Sequence, residues 1–162
     1  MARKRPGGTP ATVALDAAGV AYQLRSYDHD PRAESFGDEA AAALGVDPAR
    51  LLKTLLASLD GRLVVAVVPV AGRLDLKALA RALDGSKAVM AEMATAERAT
   101  GYVAGGISPV GQKRAHPTVV DATALDHETV LVSGGRRGLD LELAPADLVA
   151  ITGAIVDRIG RP

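Results

Sequence analysis

Apolar and polar positions follow one another in short blocks along the chain, which predicts short helices and strands in alternation. The strongest local signal is a pair of apolar runs, residues 51–58 and 62–70, that meet at Asp60-Gly61. An Asp-Gly pair between such runs favours a tight turn, because both residues tolerate the left-handed backbone that the turn requires. The pattern therefore predicts a β-hairpin, and its apolar character places it at the centre of a sheet.

The rest of the chain divides into helices with recognisable ends and shorter strands. Helices are expected where a capping residue precedes an apolar stripe and a glycine follows it. They are predicted at residues 10–18, 36–44, 75–83 and 95–100, and from Pro145 through a stripe of Leu148, Ile151, Ile155 and Ile159. Strands are predicted at residues 20–27, 88–90, 102–104, 118–120, 129–133 and 139–143.

These elements fit one α+β domain with a mixed, curved, barrel-like sheet and flanking helices. The chain of 162 residues has neither a repeat nor an interior linker. A chain of this size buries about 70 % of its unfolded surface, which is enough for a single core. We expect the domain to occupy residues 9–162 and the basic residues 1–8 to form a disordered tail.

Composition excludes several classes of site. The chain has no cysteine, which removes disulfides, thiolate metal ligands and a cysteine nucleophile. Its three histidines lie far apart in sequence, so neither a metal site nor a cofactor is expected. The N-terminus does not resemble a signal peptide, and the longest apolar run is too short to cross a bilayer. We therefore expect a cytoplasmic protein with no membrane contact.

Charge and aromatic content limit the ways in which the chain could bind nucleic acid. The 19 basic and 19 acidic residues cancel, which argues against a general nucleic-acid coat. Three tyrosines and one phenylalanine are too few to bind single strands by stacking. Any contact must be local, and the candidate basic patches are residues 3–5, 113–114 and 136–137.

A polar, glycine-rich insert at residues 105–114 interrupts the apolar pattern. Its three glycines and one proline within seven residues are incompatible with a regular helix or a central strand. Such a loop can bring backbone N–H groups close to an anion or a carbonyl oxygen, although a solvated surface loop explains it equally well. Residues 133–140 repeat the combination of glycines, a hydroxyl and paired cations, which favours a binding role.

Lys53 is the most informative single residue. In a strand through residues 51–56, alternation puts Lys53 on the same face as Leu51 and Leu55. An ammonium group between two leucines is costly unless it reaches water, a carboxylate or a ligand. An edge-strand lysine that prevents aggregation is the alternative, and the central position of the hairpin weakens it.

Two segments resemble known catalytic or binding motifs, the P-loop and the nucleophile elbow, but each lacks a required residue. Residues 106–113 imitate a phosphate-binding P-loop, but a glutamine precedes the lysine and no serine or threonine follows it. Residues 106–110 lack the last glycine of a nucleophile elbow. What remains is hydroxyls, a lysine, the carboxylate of Asp140 and glycine loops, which can position a substrate and stabilise an oxyanion. Pairing of Asp140 with Arg136 or Arg137 is the structural alternative.

In combination these segments resemble a known family, the YbaK/EbsC aminoacyl-tRNA deacylases, which are related to the editing domain of bacterial prolyl-tRNA synthetases. The matching segments run in order through the chain, and their combination is specific. They are residues 27–31, 36–39, 53–55, 67–70, 74–77, 100–102, 105–113 and 133–143.

The resemblance implies a barrel-like mixed sheet and hydrolysis of misacylated tRNA, with Cys-tRNA(Pro) as substrate and prolyl-tRNA synthetase as a partner that delivers it. It implies that the cysteinyl thiol attacks its own ester carbonyl and leaves as a thiolactone. Lys53 and Asp140 would be catalytic, with glycine-loop N–H groups near Gly105 steadying the oxyanion. The substrate-binding residues would be Tyr27, Phe36, Thr54, Gly106, Ile107, Ser108, Ser133 and Gly134.

Two other functions stay open at this point. One is editing of Ala-tRNA(Pro) with water as the nucleophile. The other is a non-catalytic module that binds aminoacyl-tRNA or a synthetase and regulates it. Residues 91–93 and 114–116 depart from the family pattern, and we expect the second departure to weaken or redirect contact with the tRNA acceptor stem.

Overall fold

The computed structural model describes residues 8–162, so the expected disordered tail lies outside the described residues apart from Gly8. The described chain contains five α-helices, one 3-10 helix (Ala122–Asp126) and ten strands. The helices are α1 (Pro10–Ala18), α2 (Phe36–Leu44), α3 (Leu76–Ala82), α4 (Met93–Thr100) and α5 (Pro145–Thr152). The strands are β1 (Gln23–Ser26), β2 (Leu52–Leu59), β3 (Arg62–Pro69), β4 (Arg73–Leu74), β5 (Ala88–Met90), β6 (Thr118–Asp121), β7 (Val130–Arg136), β8 (Leu139–Leu143), β9 (Ile155–Asp157) and β10 (Gly160–Arg161).

Most helix ends lie where capping residues predict them. The Thr9 side chain accepts a hydrogen bond from Thr12 N at the start of α1, and Ser35 accepts one from Asp38 N at the start of α2. A glycine in left-handed conformation follows each of α1, α2, α4 and α5. The predictions for α1 and α2 are confirmed, whereas α4 begins at Met93, two residues before its predicted start.

The predicted hairpin forms the middle of the largest sheet. β2 and β3 pair antiparallel along their whole length, with Leu52 opposite Pro69 and Leu59 opposite Arg62. The five strands follow the order β5-β2-β3-β6-β9, in which β6 is parallel to both of its neighbours and the other pairs are antiparallel. The prediction of a mixed sheet is therefore confirmed.

Two smaller antiparallel sheets complete the described β-structure, one ordered β1-β8-β7 and the other β10-β4. A parallel bridge between Leu51 and Leu131 joins the start of β2 to β7. The large sheet and the β1-β8-β7 sheet therefore meet at this bridge, and the described strands are curved but do not close into a barrel. Between this bridge and the residues that pair with β5, the edge of β2 has no neighbouring strand among the described residues.

Two predicted elements were wrong. Residues 102–104 form a loop, in which the buried Tyr102 donates its hydroxyl to Val110 O at 2.7 Å. The last helix ends at Thr152, because Gly153 adopts a left-handed conformation with φ 65°. Ile155 of the expected stripe begins β9 instead. In addition, β1 is shorter and β7 longer than predicted.

The hairpin separates two apolar clusters. Leu52 and Leu56 of β2 belong to a cluster that includes residues of α1, β7, β8 and α5. Ala57 and Leu59, on the opposite face, pack with α3 and β5. A smaller third cluster joins α2 to Leu51 and β7. Helix α2 is thereby packed beside the start of β2, which brings its N-terminus next to Lys53.

Candidate functional site

A pocket of about 360 Å³ opens along the edge of β2. On this edge β5 pairs with residues 57–59, and the bridge to β7 lies at Leu51, which leaves the stretch between them without a neighbouring strand. Eight of the residues predicted for the site line the pocket. They are Tyr27, Phe36, Lys53, Thr54, Gly105, Ile107, Ser133 and Asp140.

Gly106, Ser108 and Gly134 lie outside the lining of this pocket, and their positions give no support to the predicted contact with substrate. Gly106 packs against the backbone of Arg136, and its N–H donates to Val103 O at 2.8 Å. Ser108 is fully buried and its hydroxyl accepts a hydrogen bond from Val110 N. Gly106 thus holds the glycine loop against β7, and Ser108 stabilises the loop from within.

Lys53 enters the pocket from the second residue of β2. Its ammonium donates a hydrogen bond to Gly72 O at 3.0 Å, in the turn that follows β3. No ion pair between described residues involves Lys53. As alternation predicted, Leu51 is buried and Leu55 half-buried on the flanking positions. A neutral carbonyl thus orients the ammonium, whose charge forms no ion pair with the residues that the structure describes.

Asp140 forms part of the pocket wall and is 6 % exposed. It lies on β8, opposite Arg25 of β1 and Ser133 of β7. Burial raises the pKa of its carboxyl to about 7, and the Arg25 charge opposes this rise. Arg25 is itself paired with Glu142 at 2.6 Å. The carboxyl group therefore gains and loses its proton near neutral pH.

Tyr27 adds a protonated hydroxyl to the same wall. Burial raises the pKa of this phenol, the charges of Asp140 and Glu39 add to the rise, and a hydrogen bond at Gly138 opposes it. Since the ordinary pKa is already 10.0, the hydroxyl remains a hydrogen-bond donor at neutral pH.

Phe36, the first residue of α2, stands at the rim of the pocket and is 39 % exposed. The Arg137 guanidinium lies 5.2 Å from the ring centroid, and Arg137 Nε donates to Ala104 O at 2.7 Å. The His29 ring lies 5.8 Å away. Gly105 contacts Phe36 so closely that a Cβ there would approach the ring to 2.6 Å, and its φ of 81° also favours glycine. Gly105 therefore sets the position of the ring.

Several parts of the site were missed in the sequence. Val70 and Met93 line the pocket, but nothing in the apolar pattern distinguishes them from core residues. His29 Nδ1 lies 2.7 Å from a Glu39 carboxylate oxygen, and Asp30 N donates to the other oxygen. The capping residue Ser35, which predicts the start of α2, also lines the pocket.

Residues 8–162 lack two further features that could bear on function. No cluster of three or more histidine or acidic side chains could hold a metal ion. No helix there is long and apolar enough to span a membrane.

Comparison with known proteins identifies the family. The model of the aminoacyl-tRNA editing domain matches residues 30–151, which is most of the chain. The chain belongs to this family. Its editing domain is 38 % identical, over 117 residues, to EbsC of Enterococcus faecalis (strain ATCC 700802 / V583), a protein provisionally assigned as a Cys-tRNA(Pro)/Cys-tRNA(Cys) deacylase. The match covers 71 % of each chain, and the resemblance to the YbaK/EbsC family is confirmed.

Solved structures share the fold of this editing domain. The crystal structure of a provisionally assigned trans-editing enzyme for prolyl-tRNA synthetase has a TM-score of 0.84 and 25 % identity, and the match covers 98 % of this chain and 99 % of that one. The crystal structure of hypothetical protein APE2540 has a TM-score of 0.84 and 29 % identity, with 94 % and 99 % covered. The α+β fold is confirmed, and the family places the chain in aminoacyl-tRNA editing.

Proposed function

We propose that this editing domain deacylates mischarged Cys-tRNA(Pro) and that the cysteinyl thiol of the substrate is the nucleophile. The supporting observation is the content of the pocket, where Lys53, Tyr27, Ser133 and Asp140 supply one cation, two hydroxyls and a carboxyl group. The chain has no cysteine of its own. Such a pocket is equipped to orient a substrate that carries its own nucleophile, and EbsC is named for this class of substrate.

The proposed reaction needs no nucleophile from the protein. The thiol sulfur bonds to the ester carbonyl carbon, and the carbonyl oxygen takes up the negative charge. Collapse of this intermediate breaks the bond to the ribose oxygen, which receives the proton that the thiol released. The four-membered thiolactone leaves and is hydrolysed by water to cysteine. Because both reacting groups belong to one residue, the protein contributes orientation and stabilisation of charge.

The Lys53 cation and the glycine loop stabilise the charge that develops on the ester carbonyl of the substrate. The Lys53 ammonium, which has no counter-ion among the described residues, stabilises the oxyanion and contacts the terminal ribose. Gly105 borders the ester, where a glycine-loop N–H adds to this stabilisation. The Gly106 N–H takes no part, because it is committed to Val103 O.

The carboxyl and hydroxyl groups of the pocket contact the α-amino group of the substrate. Above its pKa of about 7 the Asp140 carboxylate pairs with the α-ammonium group, and the hydroxyls of Tyr27 and Ser133 assist it. Phe36 and Ile107 provide the apolar walls against which the terminal adenosine and the side chain pack.

The acceptor end of tRNA is the proposed ligand, and prolyl-tRNA synthetase is a proposed partner. A net charge of zero allows few phosphates to be neutralised, so the domain binds tRNA weakly by itself. Delivery by the synthetase compensates for this weakness. An increase in kcat/KM when prolyl-tRNA synthetase is added, and none with an unrelated synthetase, would support the partnership.

Deacylation of Cys-, Ala- and Pro-tRNA(Pro), measured side by side, tests the proposed function. We expect the cysteinyl substrate to react fastest and cysteine thiolactone to appear as the first product. Faster turnover of Ala-tRNA(Pro) would assign the attack to water instead. Tight binding without turnover of any substrate would identify a regulatory binding module, and either result would overturn the proposal.

Lys53→Ala tests the role of the cation in the same assay. We expect the rate to fall by more than about tenfold, which corresponds to about 1.4 kcal/mol of lost transition-state stabilisation. The matched control is Lys77→Ala, which removes an exposed lysine from α3. Equal rates for Lys53→Ala and the wild type would remove Lys53 from the mechanism.

A further inference from the structure

β2 turns the backbone of Thr54 toward the pocket. Val70 N donates to Leu51 O, so residues 51 and 70 form a hydrogen-bonded pair of the antiparallel ladder. Because such pairs alternate along a ladder, the N–H and C=O of Lys53 and Leu55 face β3, and those of Thr54 face the opposite edge. This alternation agrees with Leu56 O, which accepts a hydrogen bond from Ala91 N on that opposite edge.

No described strand pairs with this edge at Thr54. β5 pairs with residues 57–59, the bridge to β7 lies at Leu51, and the pocket fills the interval between them. The pocket therefore occupies the place of a missing strand. The N–H and the C=O of Thr54 stand side by side along its wall.

We propose that the aminoacyl group of the substrate pairs with Thr54 as one residue of an added β-strand would. Thr54 N–H donates to the ester carbonyl oxygen, and Thr54 C=O accepts from the α-ammonium group. This inference rests on the proposed function and names the main-chain contact by which the same pocket recognises its substrate.

An aminoacyl ester carries the groups that this edge requires. In an extended residue the N–H and the C=O point to the same side, and a hydrogen-bonded pair of residues exchanges both bonds. The esterified amino acid keeps its nitrogen, α-carbon and carbonyl group in the same order as a peptide residue. It can therefore form both bonds with Thr54 at once, in a way that an ester without the α-amino group cannot.

The pairing also has a chemical consequence. It places an N–H donor on the oxygen that becomes negatively charged when the carbonyl carbon is attacked. Since it uses no side-chain atom of the amino acid, it holds different aminoacyl groups in one orientation. Selectivity must then come from the residues that surround the amino-acid side chain.

Nuclear magnetic resonance of the full chain tests the pairing with two stable probes. One is 3′-deoxy-3′-(2-aminobutyrylamino)adenosine, an amide that resembles the cysteinyl ester without its thiol, and the other is its butyryl counterpart, which lacks the α-amino group. We expect both probes to shift the Thr54 amide proton downfield and to slow its exchange by about tenfold or more. Only the aminobutyryl probe should shift the Thr54 carbonyl carbon.

The Ser58 amide is the internal control, because Ser58 lies on the same edge of β2 but is already paired with Val89 of β5. It should not respond to either probe. Probe-induced shifts at Gly105 and Ile107 without a shift at Thr54 would overturn the inference and leave the proposed function standing. Absence of probe binding together with absence of turnover would overturn both.

A pair of variants separates the main chain of Thr54 from its side chain. Thr54→Val removes the hydroxyl, whose oxygen is buried without a hydrogen-bond partner among the described residues, and keeps the N–H. Thr54→Pro also removes the N–H, at a position where the ladder to β3 does not use it. We expect kcat/KM of the proline variant to be at least about tenfold below that of the valine variant. Equal values in two folded variants would contradict the pairing.

Discussion

The buried carboxyl group of Asp140 in the pocket wall lowers the free energy of unfolding when it is ionised. Burial raises its pKa from 3.8 to about 7, so between these values the folded state binds more protons than the unfolded state. The free energy of unfolding therefore falls as the pH rises from about 4 to about 7. The proposed contact with the α-ammonium group of the substrate would account for a carboxyl group at this buried position.

Asp140→Asn should therefore stabilise the protein at pH 8 while it impairs deacylation. We expect the free energy of unfolding to rise by about 1–3 kcal/mol at pH 8, and by much less at pH 4, where the wild-type carboxyl is already neutral. Thermal unfolding at both pH values measures this difference. The exposed Asp28→Asn is the control, and an equal gain at both pH values would contradict the explanation.

Gly105 holds the aromatic rim in place by having no side chain. We expect Gly105→Ala to displace Phe36, because the new Cβ would meet the ring at 2.6 Å, and to lower kcat/KM by about tenfold or more. Gly153→Ala is a matched control, since Gly153 also has a positive φ but no atom within 4 Å of the added Cβ. Similar activity of the two variants would show that the close contact between Gly105 and Phe36 does not control kcat/KM.

At the scale of elements, one buried carboxylate fastens the C-terminal strands to the large sheet. Asp121 ends β6, and its Oδ1 accepts hydrogen bonds from Ile159 N at 2.9 Å and Gly160 N at 2.7 Å. Its other oxygen accepts from the Thr123 N–H and hydroxyl. Burial acts to raise the pKa of Asp121, but these hydrogen bonds outweigh it and hold the pKa below 3.8.

Asp121→Asn should destabilise the fold, because an amide places N–H groups where the backbone also donates. We expect a loss of about 2–4 kcal/mol at pH 7. Because the folded pKa is lowered, this contribution is present above pH 3.8 and is lost as the pH falls through the folded pKa. Urea unfolding at pH 7 and pH 3 measures it. Asp126→Asn, an exposed acid in the same 3-10 helix, should change little.

At the scale of the whole molecule, the balance of charge limits how tRNA is held. With 19 basic and 19 acidic residues, we expect contact with few phosphates. A plot of log(kcat/KM) against log salt concentration should therefore have a slope no steeper than about −3. Deacylation of Cys-tRNA(Pro) at several salt concentrations measures it. A much steeper slope would reveal a basic surface that the net charge conceals.

Helices and strands whose ends carry a capping residue or a turn sequence could be predicted, whereas the end of the last helix could not. The Asp60-Gly61 turn and the capping residues Thr9 and Ser35 located the central hairpin, α1 and α2. The last helix was overextended, because the isoleucine spacing continues beyond Gly153, where the backbone reverses into β9. An apolar stripe does not distinguish one long helix from a shorter helix followed by a strand.

The chemistry of the site was predictable as a set of residue types, but its assembly was not. The sequence determined that a lysine lies within an apolar strand, that no cysteine is present and that two glycine segments interrupt the pattern. Tertiary structure decided that Lys53, Gly105 and Asp140 share one pocket, and that Gly106, Ser108 and Gly134 do not line it. Local signals act over one or two turns of chain, whereas these contacts depend on strand order and on the gap between β5 and β7, which packing of distant segments creates.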